Sequence, residues 1–287
     1  VLFLQGGASL QFLMIGYNLL NNKAGYLNTG SWSEKAIKEA KFFGEVIELS
    51  SSKSNNYKHI PKDFNVPDDI DYMHMTSNNT IYGTQYKALY DIADFDIPVV
   101  ADMSSDILSK PIDISQFGLI YAGAQKNMGP AGVTLVIIRE DLIGKGYREI
   151  PAMMDYQTHV IKKSMYNTPP VFSVFVVNQM LKWIQNLGGL NSMAIINERK
   201  ASKLYQEIDN NPLFISPIAF EDRSLMNVPF IFKDKAMSDN DFLIFCDKRG
   251  LKTLKGHRSV GGFRASIYNA MPEAGVDALI RAMKEYK

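Results

Sequence analysis

The chain has 287 residues with 46% hydrophobic and 21% charged side chains, a length that allows one large domain or two of ordinary size and a composition that excludes wholesale disorder. A formal net charge of +1 provides no global field for nucleic acid or an anionic membrane surface. The single cysteine, Cys246, excludes an intrachain disulfide, no Cys/His cluster has zinc-ligand spacing, and no apolar run approaches the roughly 20 residues that span a bilayer. A reducing, cytoplasmic setting is expected.

Val1 to Leu4 reads as a buried strand entered in its middle, with neither a starting methionine nor a basic leader, so the natural protein is expected to begin further upstream. Gln5-Gly6-Gly7-Ala8-Ser9 follows and leads into a helical pattern from Leu10 to about Leu20. A glycine-rich turn between strand and helix leaves backbone N–H groups free at a positive dipole end, which suits an anion; a plain tight turn is the alternative reading. Ala24 to Asn28 predicts a strand, then Ser31 or Ser33 a cap for a helix through Lys35 to Phe43. Trp32 at that helix entrance is suited either to stack on a planar ligand or to pack.

Val46 to Leu49 and Tyr72 to Thr76 are strand-like, with an exposed polar loop predicted over Ser50 to Lys62. The cluster Ser77 to Thr84 is rich in short hydrogen-bonding groups at a strand end. Ile97 to Ala101 predicts the next strand and delivers Asp102 to its carboxyl end, where open α/β sheets bind ligands. Two more apolar runs, Phe117 to Ala122 and Val133 to Ile138, flank Lys126, with Gly118, Gly123, Gly129, Gly132 and Pro130 close by. A lysine in a tight backbone between buried strands is a candidate for Schiff-base chemistry, against the more common surface lysine in a loop.

Pro151 to Thr158 reads as irregular, and Ser164 to Pro170 as a proline-stiffened turn into a helix from Val171 to Asn186. Gly188-Gly189 separates it from a helix over Leu190 to about Ile208, and Asp209 to Pro212 reads as a linker. The remainder alternates a strand (Val228 to Phe232) with helices (Asp239 to Arg249, Pro272 to Tyr286), and holds the basic, glycine-bracketed stretch Lys255 to Ser266. Cys246 falls in a predicted helix and reads as core. His59, His74 and His159 show no partner pattern.

A glycine-rich anion turn, an aromatic plate, a strand-end carboxylate and a caged lysine are jointly what pyridoxal phosphate requires: its phosphate, ring, pyridine nitrogen and aldehyde each take one of them. The words that carry this set are Leu4-Gln5-Gly6-Gly7-Ala8-Ser9, Thr29-Gly30-Ser31-Trp32, Thr80-Ile81-Tyr82-Gly83-Thr84, Ala101-Asp102-Met103-Ser104-Ser105, Gly123-Ala124-Gln125-Lys126-Asn127, Tyr166-Asn167-Thr168-Pro169-Pro170 and Lys255 through Ala270. In these words the sequence resembles the phosphoserine aminotransferase family, class-V enzymes of fold type I. The last word is the most specific; the lysine and Asp102 words mark only the wider aminotransferase class.

The resemblance implies an α/β fold: a three-layer α/β/α large domain around a mainly parallel sheet over residues 1–190, and a smaller α+β domain over 191–287. It implies that Lys126 forms the Schiff base with pyridoxal 5'-phosphate and then moves protons, with Asp102 on the pyridine nitrogen, Trp32 on the ring and Thr80 on the phenolic oxygen. Ala8, Ser9, Ser104 and Gln125 would hold the cofactor phosphate, and Asn167 and Thr168 would reach the neighbouring subunit's cofactor in an obligatory homodimer. Arg264 would bind the substrate carboxylate, and His257 and Arg258 the substrate phosphate. The implied reaction moves an amino group from glutamate to 3-phosphohydroxypyruvate, giving 2-oxoglutarate and phosphoserine in serine biosynthesis, with no metal. Two departures stand out: the family's N-terminal segment with its His-Arg pair is not in this sequence, and Ser9 stands where some members have arginine. Rival readings are an alanine- or serine-glyoxylate aminotransferase and a non-catalytic fold that binds the cofactor.

Overall fold

The computed structural model describes residues 1–87 and 95–287. Its frame is a seven-stranded sheet of β1 (Leu2–Leu4), β2 (Lys23–Asn28), β3 (Glu45–Ser51), β4 (Tyr72–Thr76), β5 (Val99–Asp102), β6 (Leu119–Gly123) and β7 (Thr134–Ile138), in the order β1-β7-β6-β5-β4-β2-β3. β3, β2, β4, β5 and β6 run parallel, and β7 runs antiparallel to both β6 and β1. Parallel strands need both faces covered, and the side chains alternate accordingly. Val100, Leu119 and Tyr121 join a core on one face; Val99, Ala101, Ile120 and Ala122 join another on the opposite face.

Helices α1 (Gly7–Leu19) and α2 (Ser31–Ala40) close the first face through Phe12, Met14, Ile15, Ala36, Ile37 and Ala40. After a short helix, α3 (Tyr156–Ile161), the second face receives Val174 and Val177 from α4 (Val171–Asn186). The chain then follows α5 (Gly189–Asn210) into a three-stranded antiparallel sheet of β8 (Phe214–Ile215), β9 (Asn227–Phe232) and β10 (Phe263–Ser266), ordered β10-β9-β8, with α6 (Asp239–Asp247) and α7 (Glu273–Glu285). Phe214, Phe230, Phe232, Phe242, Phe263 and fully buried Cys246 make its core.

The predicted elements are present, with local differences that have physical causes. α1 begins at Gly7 rather than Leu10 because Gly6 takes a left-handed φ of 87° as N-cap; a Cβ there would lie 2.5 Å from Leu10 Cβ. The cap of α2 is Gly30, and Ser33 reaches back to bond the Gly30 N–H at 3.0 Å. The stretch from Ser50 to Lys62 is not wholly an exposed loop: β3 runs to Ser51, and Ser52, Tyr57 and Ile60 are buried, Tyr57 against Tyr82. Irregularity over Pro151 to Thr158 gives way at Tyr156, where Asp155 caps α3 by accepting from the Gln157 and Thr158 N–H groups. The expected linker at Asp209 is instead the last turn of α5, its carboxylate paired with Arg223 at 2.7 Å.

Candidate active site

Four elements bring their ends to one place at the carboxyl edge of the parallel strands. β5 ends on Asp102, which is 5% exposed and whose Oδ1 accepts the Ser104 N–H at 2.9 Å. β6 runs into the turn that carries Lys126, fixed by bonds from the Ala124 N–H to Val133 O and from the Met128 N–H to Ala124 O, both 3.0 Å. The Lys126 ammonium donates to Thr80 Oγ1 at 2.8 Å and lies 4.9 Å from the centre of the Trp32 ring at the start of α2. From β10, Arg264 Nη1 donates to the Thr80 carbonyl at 3.2 Å. Thr80 therefore links the lysine to the arginine across the two sheets.

The electrostatics suit a reactive amine. Burial lowers the pKa of Lys126; the charge of Asp102 opposes that shift and the charge of Arg264 adds to it. An amine whose charged form is disfavoured is a better nucleophile near neutral pH. Behind Asp102, burial raises the pKa of Asp106, while Ser77 and Gln85 donate to its two oxygens and oppose the rise.

Around this centre, Ala8 is half-buried and Ser9 exposed at the start of α1, where no side chain caps the helix. Ser104 is buried, its hydroxyl accepting the Gly123 N–H at 3.1 Å, and exposed Gln125 folds back over Gly123. His257 and Arg258 lie on the loop before β10, His257 half-buried with Nδ1 2.7 Å from Ser259 Oγ, and Arg258 exposed. Asn167 and Thr168 are not drawn into this cluster. They are exposed between α3 and α4, where the Thr168 carbonyl accepts from Gln5 Nε2 at 2.8 Å.

Sequence reasoning passed over three residues here. The Tyr268 hydroxyl lies beside Thr80 and accepts from Asn227 Nδ2 at 3.2 Å. Asn127 Oδ1 accepts the Asn269 N–H at 2.8 Å and so ties the lysine turn to the strand exit of β10. Lys35 holds its ammonium 4.4 Å from the centre of the Trp32 ring. Its position three residues after Trp32 on a helix was the available signal.

These residues fit pyridoxal phosphate. Buried Trp32 Nε1 and Arg264 Nε have no hydrogen-bond partner, as expected of groups shaped for a ligand. The uncapped start of α1 offers N–H groups to a phosphate, and Asp102 Oδ2 is without a partner among the described residues. No group of three His, Cys, Asp or Glu side chains comes together among the described residues to hold a metal.

A fold of this topology with a lysine, a carboxylate and an aromatic plate at the strand ends defines a pyridoxal phosphate-dependent transferase. The chain matches the model of the aminotransferase class-V family over residues 1–279, and it belongs to that family. Within it, the phosphoserine aminotransferase of Azobacteroides pseudotrichonymphae is 54% identical over 288 aligned residues, covering 100% of this chain and 79% of its own. That of Flavobacterium psychrophilum is also 54% identical, over 99% of this chain and 79% of its own. Among solved structures, the phosphoserine aminotransferase of Bacillus circulans subsp. alkalophilus superimposes with a TM-score of 0.95 at 46% identity, covering 99% of this chain and 79% of that one. The pyridoxal phosphate-bound enzyme of Trichomonas vaginalis gives 0.92 at 42% identity, covering 99% and 82%. An alanine–glyoxylate aminotransferase from Nostoc shares the fold, with a TM-score of 0.79 at 12% identity.

Proposed function

We propose that this chain is a phosphoserine aminotransferase, exchanging the amino group between glutamate and 3-phosphohydroxypyruvate in L-serine biosynthesis. The observation that carries the reading is that Arg258 and Lys35 add positive charge beside Arg264: all three act on the imidazole of His257, whose pKa is lowered by burial and then by these charges. One guanidinium suffices for a carboxylate; the further cations suit a substrate with a phosphate as well.

When bound, pyridoxal phosphate supplies an aldehyde that condenses with amines and a ring that withdraws electrons from the substrate carbon. This chain's residues do the rest. Lys126, whose charged form burial disfavours, would be the residue that holds the aldehyde. Once displaced by substrate, its Nζ would be placed to hold and return a proton as general acid–base. Thr80 fixes the Lys126 amine at 2.8 Å. Asp102, at the end of β5, would face the ring nitrogen and favour its protonated form. Trp32 covers the ring and helps exclude water. The start of α1 with Ala8 and Ser9, together with Ser104 and Gln125, receives the cofactor phosphate. Arg264 directs the substrate carboxylate through the nitrogens that Thr80 leaves free.

The same reading divides the chain into a cofactor domain over 1–190 and a small domain over 191–287, and makes the active form a cytoplasmic homodimer. Asn167 and Thr168 then serve the neighbouring subunit's cofactor phosphate. Their surroundings support this: Met165, Tyr166, Val171, Phe172 and Phe175 are 43% to 73% exposed around them, an apolar surface that a second copy would cover.

Arg258→Ala separates this reading from an alanine- or serine-glyoxylate aminotransferase. The variant should lose at least tenfold in apparent affinity for phosphorylated substrate, about one charge-assisted contact, and keep its KM for glutamate. Equal loss on both substrates contradicts the reading.

A further inference from the structure

Three cationic side chains, Lys35, Arg258 and Arg264, stand around the imidazole of His257 at this site. All three act electrostatically on His257, and Trp32 of α2 and Val260 of the His257 loop pack against one cluster of Tyr57, Ile81 and Tyr82. None of them is paired with an acidic side chain among the described residues. The nearest acid in sequence, Glu34, is engaged elsewhere, with Lys53 at 2.7 Å and beside Tyr57.

Like charges repel, so each member needs another hold. Arg264 is held by the Thr80 carbonyl at 3.2 Å, and His257 by Ser259 Oγ at 2.7 Å. Among the described residues, Lys35 is held by the face of Trp32 alone, at 4.4 Å. At an exposed position a cation–π contact is weak, and an ammonium gives it up readily for a dianion. The long, flexible stem of lysine allows that move without any change in the helix.

We propose that Lys35 is a specificity-determining residue of the substrate-phosphate site: its ammonium leaves the Trp32 ring to pair with the phosphate and so favours phosphorylated over unphosphorylated oxo acids. The proposal rests on the phosphoserine reading above. α2 contributes Trp32 to the ring site and, three residues on, Lys35 to the phosphate, so one helix start serves both ends of the reacting pair. Lys35 pairs with the phosphate through charge alone and makes no covalent bond.

The test compares Lys35→Gln, which keeps a polar side chain one atom shorter and removes charge, with Lys35→Arg, which keeps charge, both cofactor-loaded. Lys35→Gln should raise the KM for the phosphorylated oxo acid about tenfold and leave the KM for glutamate unchanged, the loss of one charge-assisted contact. Calorimetric titration with inorganic phosphate should show a similar weakening, and Lys35→Arg should restore both. In an NMR titration the imidazole of His257 should move back toward its ordinary pKa in Lys35→Gln, because one repelling charge is gone. Unchanged phosphate affinity in Lys35→Gln, or equal KM increases for both substrates, overturns the proposal. Arg258→Ala run alongside separates the levels: if it loses phosphate selectivity and Lys35→Gln does not, only Lys35 is misassigned. If neither loses it, the substrate reading itself fails.

Discussion

Replacing Thr80 by valine keeps the shape of a side chain that is 7% exposed and removes one oxygen atom. That oxygen accepts the Lys126 ammonium at 2.8 Å, while the carbonyl of the same residue accepts from Arg264 at 3.2 Å and survives the change. The substitution therefore disconnects the lysine and leaves the arginine in place. A hydrogen bond to a charged group contributes about 1.5–3 kcal/mol, and the lower end applies to a half-buried amine that retains other contacts. The ammonium loses an acceptor that the free amine needs less, so the Lys126 pKa, already lowered by burial, falls further. A change of about 1.4 kcal/mol is tenfold in the proportion of free amine at a fixed pH. Competitive labelling of cofactor-free protein with limiting acetic anhydride at pH 8, read by peptide mass, should show Lys126 reacting about tenfold faster in the variant. In the loaded enzyme, the KM for glutamate should stay within about twofold, because the Arg264 contact is intact. Labelling at the wild-type rate would refute the assigned coupling. So would a large rise in KM, which would mean that Thr80 acts through Arg264 rather than Lys126.

Two further expectations follow from other parts of the molecule. His74 is buried against Tyr121, its Nε2 2.9 Å from that hydroxyl, and burial lowers its pKa to about 3. The unfolded chain binds this proton near pH 6.5 and the folded chain does not, so stability should fall by about 1.4 kcal/mol per unit as pH drops from 6.5 toward 3. His74→Gln, which keeps a partner for Tyr121, should remove that slope in urea denaturation at pH 5 and pH 7; parallel pH profiles for the two proteins contradict the assignment. Phe172 and Phe175 are 73% and 56% exposed on α4, and the double change to glutamate should convert a dimer to monomers in sedimentation while leaving the far-ultraviolet spectrum unchanged. A wild-type protein that sediments as a monomer at micromolar concentration defeats the dimer proposal.

The sequence made the sheet legible because its central strands are short, continuous apolar runs, as a two-sided parallel sheet requires; Tyr72 to Thr76 and Val171 to Asn186 match their elements residue for residue. It made the lysine and Asp102 legible because strand ends in open sheets are where ligands bind. Less visible were elements whose stability comes from tertiary contacts. β8 has two residues and β10 four, too few for any pattern, and both exist because Phe214 and Phe263 are buried with Phe230. Tyr57 and Ile60 sit in a polar stretch whose composition hides their burial, since Tyr82 and Asp222 hold them from distant parts of the chain. Lys35 was partly hidden. Its three-residue spacing from Trp32 on a helix was a signal, but one that gains meaning only with the Trp32 ring seen 4.4 Å from its ammonium.

The central claim is that Lys126 and its surroundings run two half-reactions on one cofactor, one with glutamate and one with a phosphorylated amino acid. Stopped-flow absorbance of the pyridoxal phosphate-loaded protein tests it directly, with each amino acid added alone. Glutamate and phosphoserine should each convert the cofactor band in a single turnover and release one equivalent of the matching oxo acid, with alanine inert, and Lys126→Ala should abolish both conversions. A protein whose cofactor band responds to alanine but not to phosphoserine, or to neither glutamate nor phosphoserine, contradicts the account.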